Sequence, residues 1–316
     1  MRQIYLLSAD NLLLGKEEVV AMAGDKVVGI SDRVLVVDSK FTDFKRLAYT
    51  KSVYQFLFSC QPEFLLECIR KFNWNKIYKR DFCVRIKNFH IQIFTERGLA
   101  DAVWRRLKKP KVNLTNPKTG IEFLFVKGKV FCGLLLYEQD SDFFERVAHL
   151  RPGFHPTSMS PKLARALINL SGVRKNETLL DPFCGTGGIL LESAIVGCKT
   201  FGSDVDADMI VKARQNLDHF KLKAKLFRED ALKVKIKTDV IVTDPPYGRG
   251  SFKTQKLSTL YNSFLANAYS LLRKNRRLVV VFPSNFSFRS KFFVVASIPF
   301  YVHKSLTRNI YVLEKR

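Results

Sequence analysis

The stretch Thr178-Leu179-Leu180-Asp181-Pro182-Phe183-Cys184-Gly185-Thr186-Gly187-Gly188 sets the tightest limit on how this chain folds. A short apolar run ends in an acid and a Gly-rich turn, and Ile189 to Val196 continues as a helix, the strand, turn and helix that open a βαβ unit. Glycines at 185, 187 and 188 let a ligand approach the backbone closely at a helix N-terminus. A second strand, Lys199-Thr200-Phe201-Gly202-Ser203, ends in Asp204, 23 residues after Asp181. An acid at that distance sits beside the turn and can accept both hydroxyls of a ribose. Helices on a mostly parallel sheet, with a ligand at the carboxyl ends of its strands, are therefore expected.

The pattern continues. Ala224 to Arg228 reads as a third strand ending in Glu229-Asp230-Ala231, where Asp230 is placed to accept from an adenine amine. The fourth, Val240-Ile241-Val242, runs into Thr243-Asp244-Pro245-Pro246-Tyr247-Gly248, and two prolines forbid further ladder pairing, so the backbone leaves the sheet there. Alone, this is as readily a strand-terminating turn, since Asp-Pro and Pro-Tyr-Gly are ordinary turn residues. Its company makes it a reaction centre. A dinucleotide would bring its pyrophosphate against Asp181, which would repel it, whereas the sulfonium and ammonium of S-adenosylmethionine would be welcomed. S-adenosylmethionine is therefore favoured over NAD.

Charge narrows the partner. The chain carries 53 Lys/Arg against 29 Asp/Glu, a net charge of +24, and between Arg70 and Lys111 it has 13 basic residues against Asp81, Glu96 and Asp101. Such a balance suits a polyanion, and without an apolar run of about 18 residues nucleic acid is preferred to a membrane. A Lys-rich solvated surface, as in proteins from hot habitats, is the bland counterpart. Six scattered cysteines form no CxxC pair with matching histidines, which disfavours zinc, and no signal-peptide pattern opens the chain, so a reducing, cytoplasmic setting is expected.

Taken in order, residues 1–50 read as a small α+β, ferredoxin-like unit with strands at Ile4–Leu7, Val27–Ile30 and Val34–Val37, a helical patch at Glu17–Met22, and no chemistry. Residues 51–138 follow as helix (Glu63–Lys71), strand (Phe82–Ile86, with Arg85 and Lys87 on its polar face), helix (Ile91–Trp104), then a hairpin of Ile121–Val126 and Val130–Leu136 through Lys127-Gly128-Lys129. Residues 139–154 form a polar linker. Beyond it Ser160 can cap a helix with Pro161 at its first position. Thr259–Leu272 reads as an amphipathic helix, Arg277–Pro283 as a fifth strand, Phe292–Ser297 as helix or strand, and Arg308–Leu313 as the last strand; Pro283-Ser284-Asn285 lies near enough to the pocket to reach a base.

The order of elements at 51–138, the basic strand at 82–87 and the turn Val112-Asn113-Leu114-Thr115-Asn116-Pro117 resemble the THUMP domain of tRNA-modifying enzymes. The resemblance implies RNA bound by shape and phosphate contacts, with Arg70, Lys71, Lys79, Arg80, Arg85, Lys87, Arg105 and Arg106 as candidates, joined by Arg249 and Lys253 beside the Pro-Pro turn. Residues 155–316 resemble the class I S-adenosylmethionine-dependent methyltransferases that act on exocyclic amines, and with the upstream domain they are similar to the archaeal tRNA guanine-N2 methyltransferases that modify guanosine 10. The implied fold is a Rossmann-like domain with a seven-stranded, mostly parallel sheet and an antiparallel final strand. Implied cofactor contacts are His155, Thr157, Ser158, Asp181, Phe183, Cys184, Gly185, Thr186, Gly187, Asp204, Val205, Asp230, Ala231 and Asp244. Asp244, Pro245 and Tyr247 would be catalytic: the carboxylate and the Pro245 carbonyl accept from the guanine amine, and Tyr247 stacks on the base.

The implied partner is tRNA, with room for a small activating protein subunit and otherwise a monomer. Alternatives stay open: a guanine at another position of tRNA or rRNA, adenine N6, or an RNA-binding protein with a silent cofactor pocket. Cys184 reads as a small buried residue rather than the nucleophile that some RNA methyltransferases use, because an amine target needs no covalent adduct. His219 is placed on the surface, and His155 in the pocket wall without a base's role.

Overall fold

The computed structural model describes residues 1–89, 94–139, 142–247, 251–303 and 306–316, with side chains for all of these except 251–256 and 302–306. The chain divides into two compact units, residues 1–12, 23–45 and 49–140 in the first and residues 13–22, 46–48 and 141–316 in the second.

In the first unit β1 (Arg2–Leu7), β2 (Val27–Ser31), β3 (Val34–Asp38), β4 (Thr50–Cys60), β5 (Phe82–Asn88), β6 (Thr119–Val126) and β7 (Lys129–Glu138) form one sheet of order β2-β3-β1-β4-β7-β6-β5. The sheet runs unbroken across residue 50, where a boundary was expected, because β4 is 11 residues long and pairs with both β1 and β7. The β6–β7 turn has positive φ at Lys127 (38°) and Gly128 (74°), the backbone that matches the right-handed twist of a hairpin. Two helices, α2 (Leu65–Lys71) and α3 (Glu96–Trp104), pack with Trp74, Phe82 and Phe123 through Leu65, Ile69, Leu99 and Val103. Helix α3 starts at Glu96 rather than Ile91, since Thr95 caps it, its hydroxyl accepting from the Gly98 N–H at 3.1 Å; residues 90–93 lie outside the described set. The crossover through α3 makes β5 parallel to β6.

The second unit is built on a sheet of β8 (Thr178–Asp181), β9 (Lys199–Asp204), β10 (Lys225–Arg228), β11 (Val240–Thr243), β12 (Arg276–Pro283), β13 (Phe293–His303) and β14 (Leu306–Lys315), in the order β10-β9-β8-β11-β12-β14-β13. The pairs among β8 to β12 are parallel, and β14 runs antiparallel to both neighbours. Residues 292–297, open between helix and strand, fall almost wholly in β13. The helices are α4 (Pro161–Leu170), α5 (Gly188–Val196), α6 (Ala207–His219) and α7 (Ser251–Leu271). Ser160 caps α4 with Pro161 at its first position, as its sequence predicts. Helix α7 begins eight residues before the expected Thr259; its later turns carry the buried stripe Tyr261, Phe264, Leu265, Ala268 and Leu271 that marks a helix in sequence.

The helical patch near the start of the chain is α1 (Leu12–Ala23), whose residues 13–22 belong to the second unit. Its buried Glu18 accepts from the Ala48 N–H (2.8 Å) and the Asn169 amide (2.7 Å), while Arg46 donates to the Asn169 carbonyl oxygen (2.8 Å). The expected linker is also packed rather than spanning solvent. Its Arg146 reaches the buried Glu192 of α5 at 2.7 Å, beside Arg165 of α4 at 2.6 Å, and the Arg151 Nε donates to the Arg146 carbonyl. Among the described residues, no helix is long and apolar enough to cross a membrane.

Candidate active site

Strand order reverses between β8 and β11, and in open α/β sheets the crevice outside the carboxyl ends at such a point is where ligands sit. The chain leaves β8 at Asp181 and turns through Gly187, whose φ of 82° is left-handed and whose Cβ position faces Ala213 at 3.2 Å, so a side chain is excluded there. The turn is held from two sides. Asp204, ending β9, accepts from the Gly185 N–H (2.9 Å) and the Asp206 N–H (3.0 Å). Buried Asn216 of α6 donates to the Thr186 carbonyl (2.8 Å) and the Gly153 carbonyl (3.2 Å) and accepts from the Gly153 N–H (2.8 Å). Ser158 and Thr186 share a hydroxyl contact at 2.8 Å.

Here lies a solvent-open cleft. Its wall includes Thr157, Ser158, Asp181, Phe183, Cys184, Gly185, Thr186, Gly188 and Asp244, all expected from sequence, and also Met159, Ile189 and Met209, which were not. Methionines carry no sequence signature of a pocket; they are adaptable apolar filler anywhere. Asp181 is 1% exposed and accepts from the Thr243 hydroxyl (2.6 Å) and the Phe183 N–H (3.2 Å). Burial outweighs those bonds and pushes its carboxyl up to about 7, with the charges of Asp204 and Asp244 acting the same way. Cys184 is buried and its thiol is pushed far up, so it stays a neutral packing group.

On the far side of Asp181 the chain leaves β11 as Asp244-Pro245-Pro246-Tyr247. Tyr261 of α7 fixes this loop, its hydroxyl donating to the Pro246 carbonyl at 2.6 Å. The Asp244 side chain is 16% exposed, and burial pushes its carboxyl up to about 7 against the opposing pull of Arg308, whose Nη1 lies 3.4 Å from Oδ2. The Arg308 guanidinium also lies 4.0 Å from the centre of the Tyr247 ring. Three atoms here are buried without a partner among the described residues: Asp244 Oδ1, the Tyr247 hydroxyl and Arg308 Nε. Unmet buried polar atoms are rare in folded proteins and cluster where water, an ion or a ligand completes the bonding.

Val205, Ala231, His155 and Asp230 are not part of the cleft's lining. Val205 is 66% exposed, Ala231 lies in the core, His155 bonds Thr157 at 2.8 Å, and Asp230 caps a turn by accepting from the Leu232 N–H at 2.9 Å. Of the basic candidates in the first unit, Arg70, Arg105 and Arg106 line one hollow between α2 and α3, with Asp101 beside them. Lys71, Arg80, Arg85 and Lys87 are instead engaged by Glu67, Asp81, Glu96 and Glu138. Arg249 and the Lys253 side chain lie outside the described set.

A sheet of this order, with acids at the ends of β8 and β9 and an Asp-Pro-Pro-Tyr loop after β11, defines a class I, Rossmann-like methyltransferase, and residues 148–297 match the model of the RMKL-like methyltransferase domain. The chain is 34% identical over 283 residues to the tRNA (guanine(10)-N2)-dimethyltransferase of Methanothermobacter thermautotrophicus, covering 86% of this chain and 84% of that one. The Pyrococcus abyssi enzyme of the same name is 33% identical over 80% of this chain and 79% of its own. The chain belongs to this family of tRNA guanine-N2 methyltransferases. The crystal structure of TrmN from Thermus thermophilus aligns with all of this chain at a TM-score of 0.55 and 22% identity, a likeness of fold.

Proposed function

We propose that this protein transfers methyl groups to N2 of guanosine 10 in tRNA, giving N2-methyl- and then N2,N2-dimethylguanosine. One observation carries the reading: a cleft lined by carboxylates, hydroxyls and apolar groups, with no Lys or Arg in its described lining, adjoins a buried carboxylate oxygen that has no donor among the described residues. Such a lining sets carboxylates against a pyrophosphate. S-adenosyl-L-methionine fits and is the cofactor, supplying an electrophilic methyl group. The turn at 185–188 and Asp181 would hold its amino-acid end, Asp204 the ribose and Asp230 the adenine amine.

The guanine N2 lone pair is delocalised into the ring and is a poor nucleophile until its N–H bonds are held. Asp244 Oδ1 and the Pro245 carbonyl accept them, Tyr247 stacks on the base, and the nitrogen pyramidalises towards the methyl donor. As N2 gains positive charge, the Asp244 carboxylate stabilises it, and the proton leaves to Asp244 or to water. A base in a stem must be flipped out at a cost of roughly a few kcal/mol, offset by phosphate contacts from a THUMP-like RNA-binding first unit. We place the protein in the cytoplasm, acting as a monomer or with a small activating subunit.

Unmodified tRNA incubated with the protein and labelled cofactor, digested and read by nucleoside mass spectrometry, tests this. Methylated N2-guanosine mapping to position 10 is expected. N6-methyladenosine, or no labelled nucleoside, would overturn the reading, and methylation of another guanosine would move the site.

A further inference from the structure

We infer that Arg308 is a positioning residue for methyl transfer, one that keeps Asp244 a carboxylate and commits one of its oxygens so that the other faces the acceptor amine; this rests on Asp244 being the acceptor's partner. Arg308 is far from the Pro-Pro loop in sequence and reaches it through the antiparallel strand. The register pairs Arg308 with Pro283, at the carboxyl end of β12, the strand next to β11. From there its Nη1 meets Asp244 Oδ2 at 3.4 Å and its guanidinium lies over the Tyr247 ring at 4.0 Å.

The division of the carboxylate is what gives this geometry its use. With Oδ2 engaged, Oδ1 is left buried without a donor among the described residues. A buried carboxylate oxygen without donors is costly, so a donor that arrives with the substrate would be bound strongly there. The guanidinium over the ring also holds Tyr247 in place. A planar guanidinium does both tasks at once, which an ammonium cannot.

Charge points the same way. Among the described residues, the groups facing Asp244 are Asp181 at the end of β8, Tyr261 of α7, Tyr247 of its own loop and Arg308 of β14. Asp181 opposes ionisation and the tyrosines are neutral, so among these Arg308 alone favours the charged form that accepts N–H bonds.

The test uses Arg308→Gln and Arg308→Lys in the full chain, with cofactor affinity measured by calorimetry to certify the fold. The Asp244 carboxyl is titrated by carbon-13 NMR without RNA, assigned by difference from Asp244→Asn, and single-turnover methyl transfer to tRNA is measured against pH. Arg308→Gln should move the NMR midpoint up by about one unit or more, and Arg308→Lys should leave it within about half a unit, as expected for losing or keeping an adjacent charge. Transfer by the glutamine variant should fall about tenfold near pH 7 and recover as pH rises, following the carboxylate fraction. An unmoved midpoint in the glutamine variant, a midpoint raised as far in the lysine variant, or a transfer rate lowered equally at every pH would overturn the inference. Because the NMR titration involves no RNA, it judges Arg308 even where mass spectrometry places the methyl group elsewhere.

Discussion

Asp181 and Asp244 are raised by the same cause, burial, but their charges serve different ends. Asp244 must be ionised to accept the amine, so transfer should be low in acid and climb through about pH 7, the value to which its carboxyl is pushed; a pH profile of single-turnover rates reads this. Asp244→Ala should abolish transfer while cofactor binding remains measurable, and wild-type turnover in that variant would remove Asp244 from the chemistry. For Asp181 the unfolded chain releases the proton near 3.8 and the folded chain near 7, so the folded state holds an extra proton between those limits. Stability from this group is therefore complete below the lower value and is lost as pH rises through the upper one. Asp181→Asn, which cannot ionise, should gain in melting temperature relative to wild type on going from pH 5 to pH 8, while binding S-adenosyl-L-methionine less tightly. Scanning calorimetry at the two pH values checks the first part, titration calorimetry the second.

Among the elements, α5 depends on a polar anchor as much as on its apolar surface. Glu192 is fully buried and meets Arg165 at 2.6 Å and Arg146 at 2.7 Å. Removing the acid would strand two guanidinium groups in a closed environment, a change worth roughly 3–5 kcal/mol. Glu192→Ala should lower the denaturant midpoint accordingly, whereas a loss under about 1 kcal/mol would mean that water reaches the arginines. This anchor is invisible in the sequence, where Arg146 and Arg151 read as part of a polar spacer. The acid-ended strands are legible because each carries its apolar run and its turn within a dozen residues. Groups that come to a place through pairing with a distant strand or helix, such as Arg308, Asn216 and Tyr261, leave no such local mark. Helix α7 outruns its sequence signal for a related reason, since its first turns have no apolar stripe to announce them.

At the scale of the molecule, charge is less available than its total suggests. Lys71, Arg80, Arg85 and Lys87 meet acids of the same unit, while Arg70, Arg105 and Arg106 converge on one hollow. Replacing those three by alanine should weaken tRNA binding and reduce the slope of log affinity against log salt by about 0.7–0.9 for each phosphate that is no longer neutralised. Replacing Lys71, Arg80 and Lys87 instead should change that slope less, and equal slopes for the two sets would remove the hollow from the RNA interface.

Glu18 and Arg46, bonded to Asn169, mean that the second unit draws on chain made more than a hundred residues before Asn169. During synthesis these early residues emerge from the ribosome and wait until α4 follows. A fragment starting at residue 141 would leave the Asn169 amide with neither Glu18 nor Arg46, at about 1–3 kcal/mol for each buried bond unmet. Cutting the protein at its visible seam should thus give a methyltransferase half that is soluble only when a peptide spanning residues 13–48 is supplied with it.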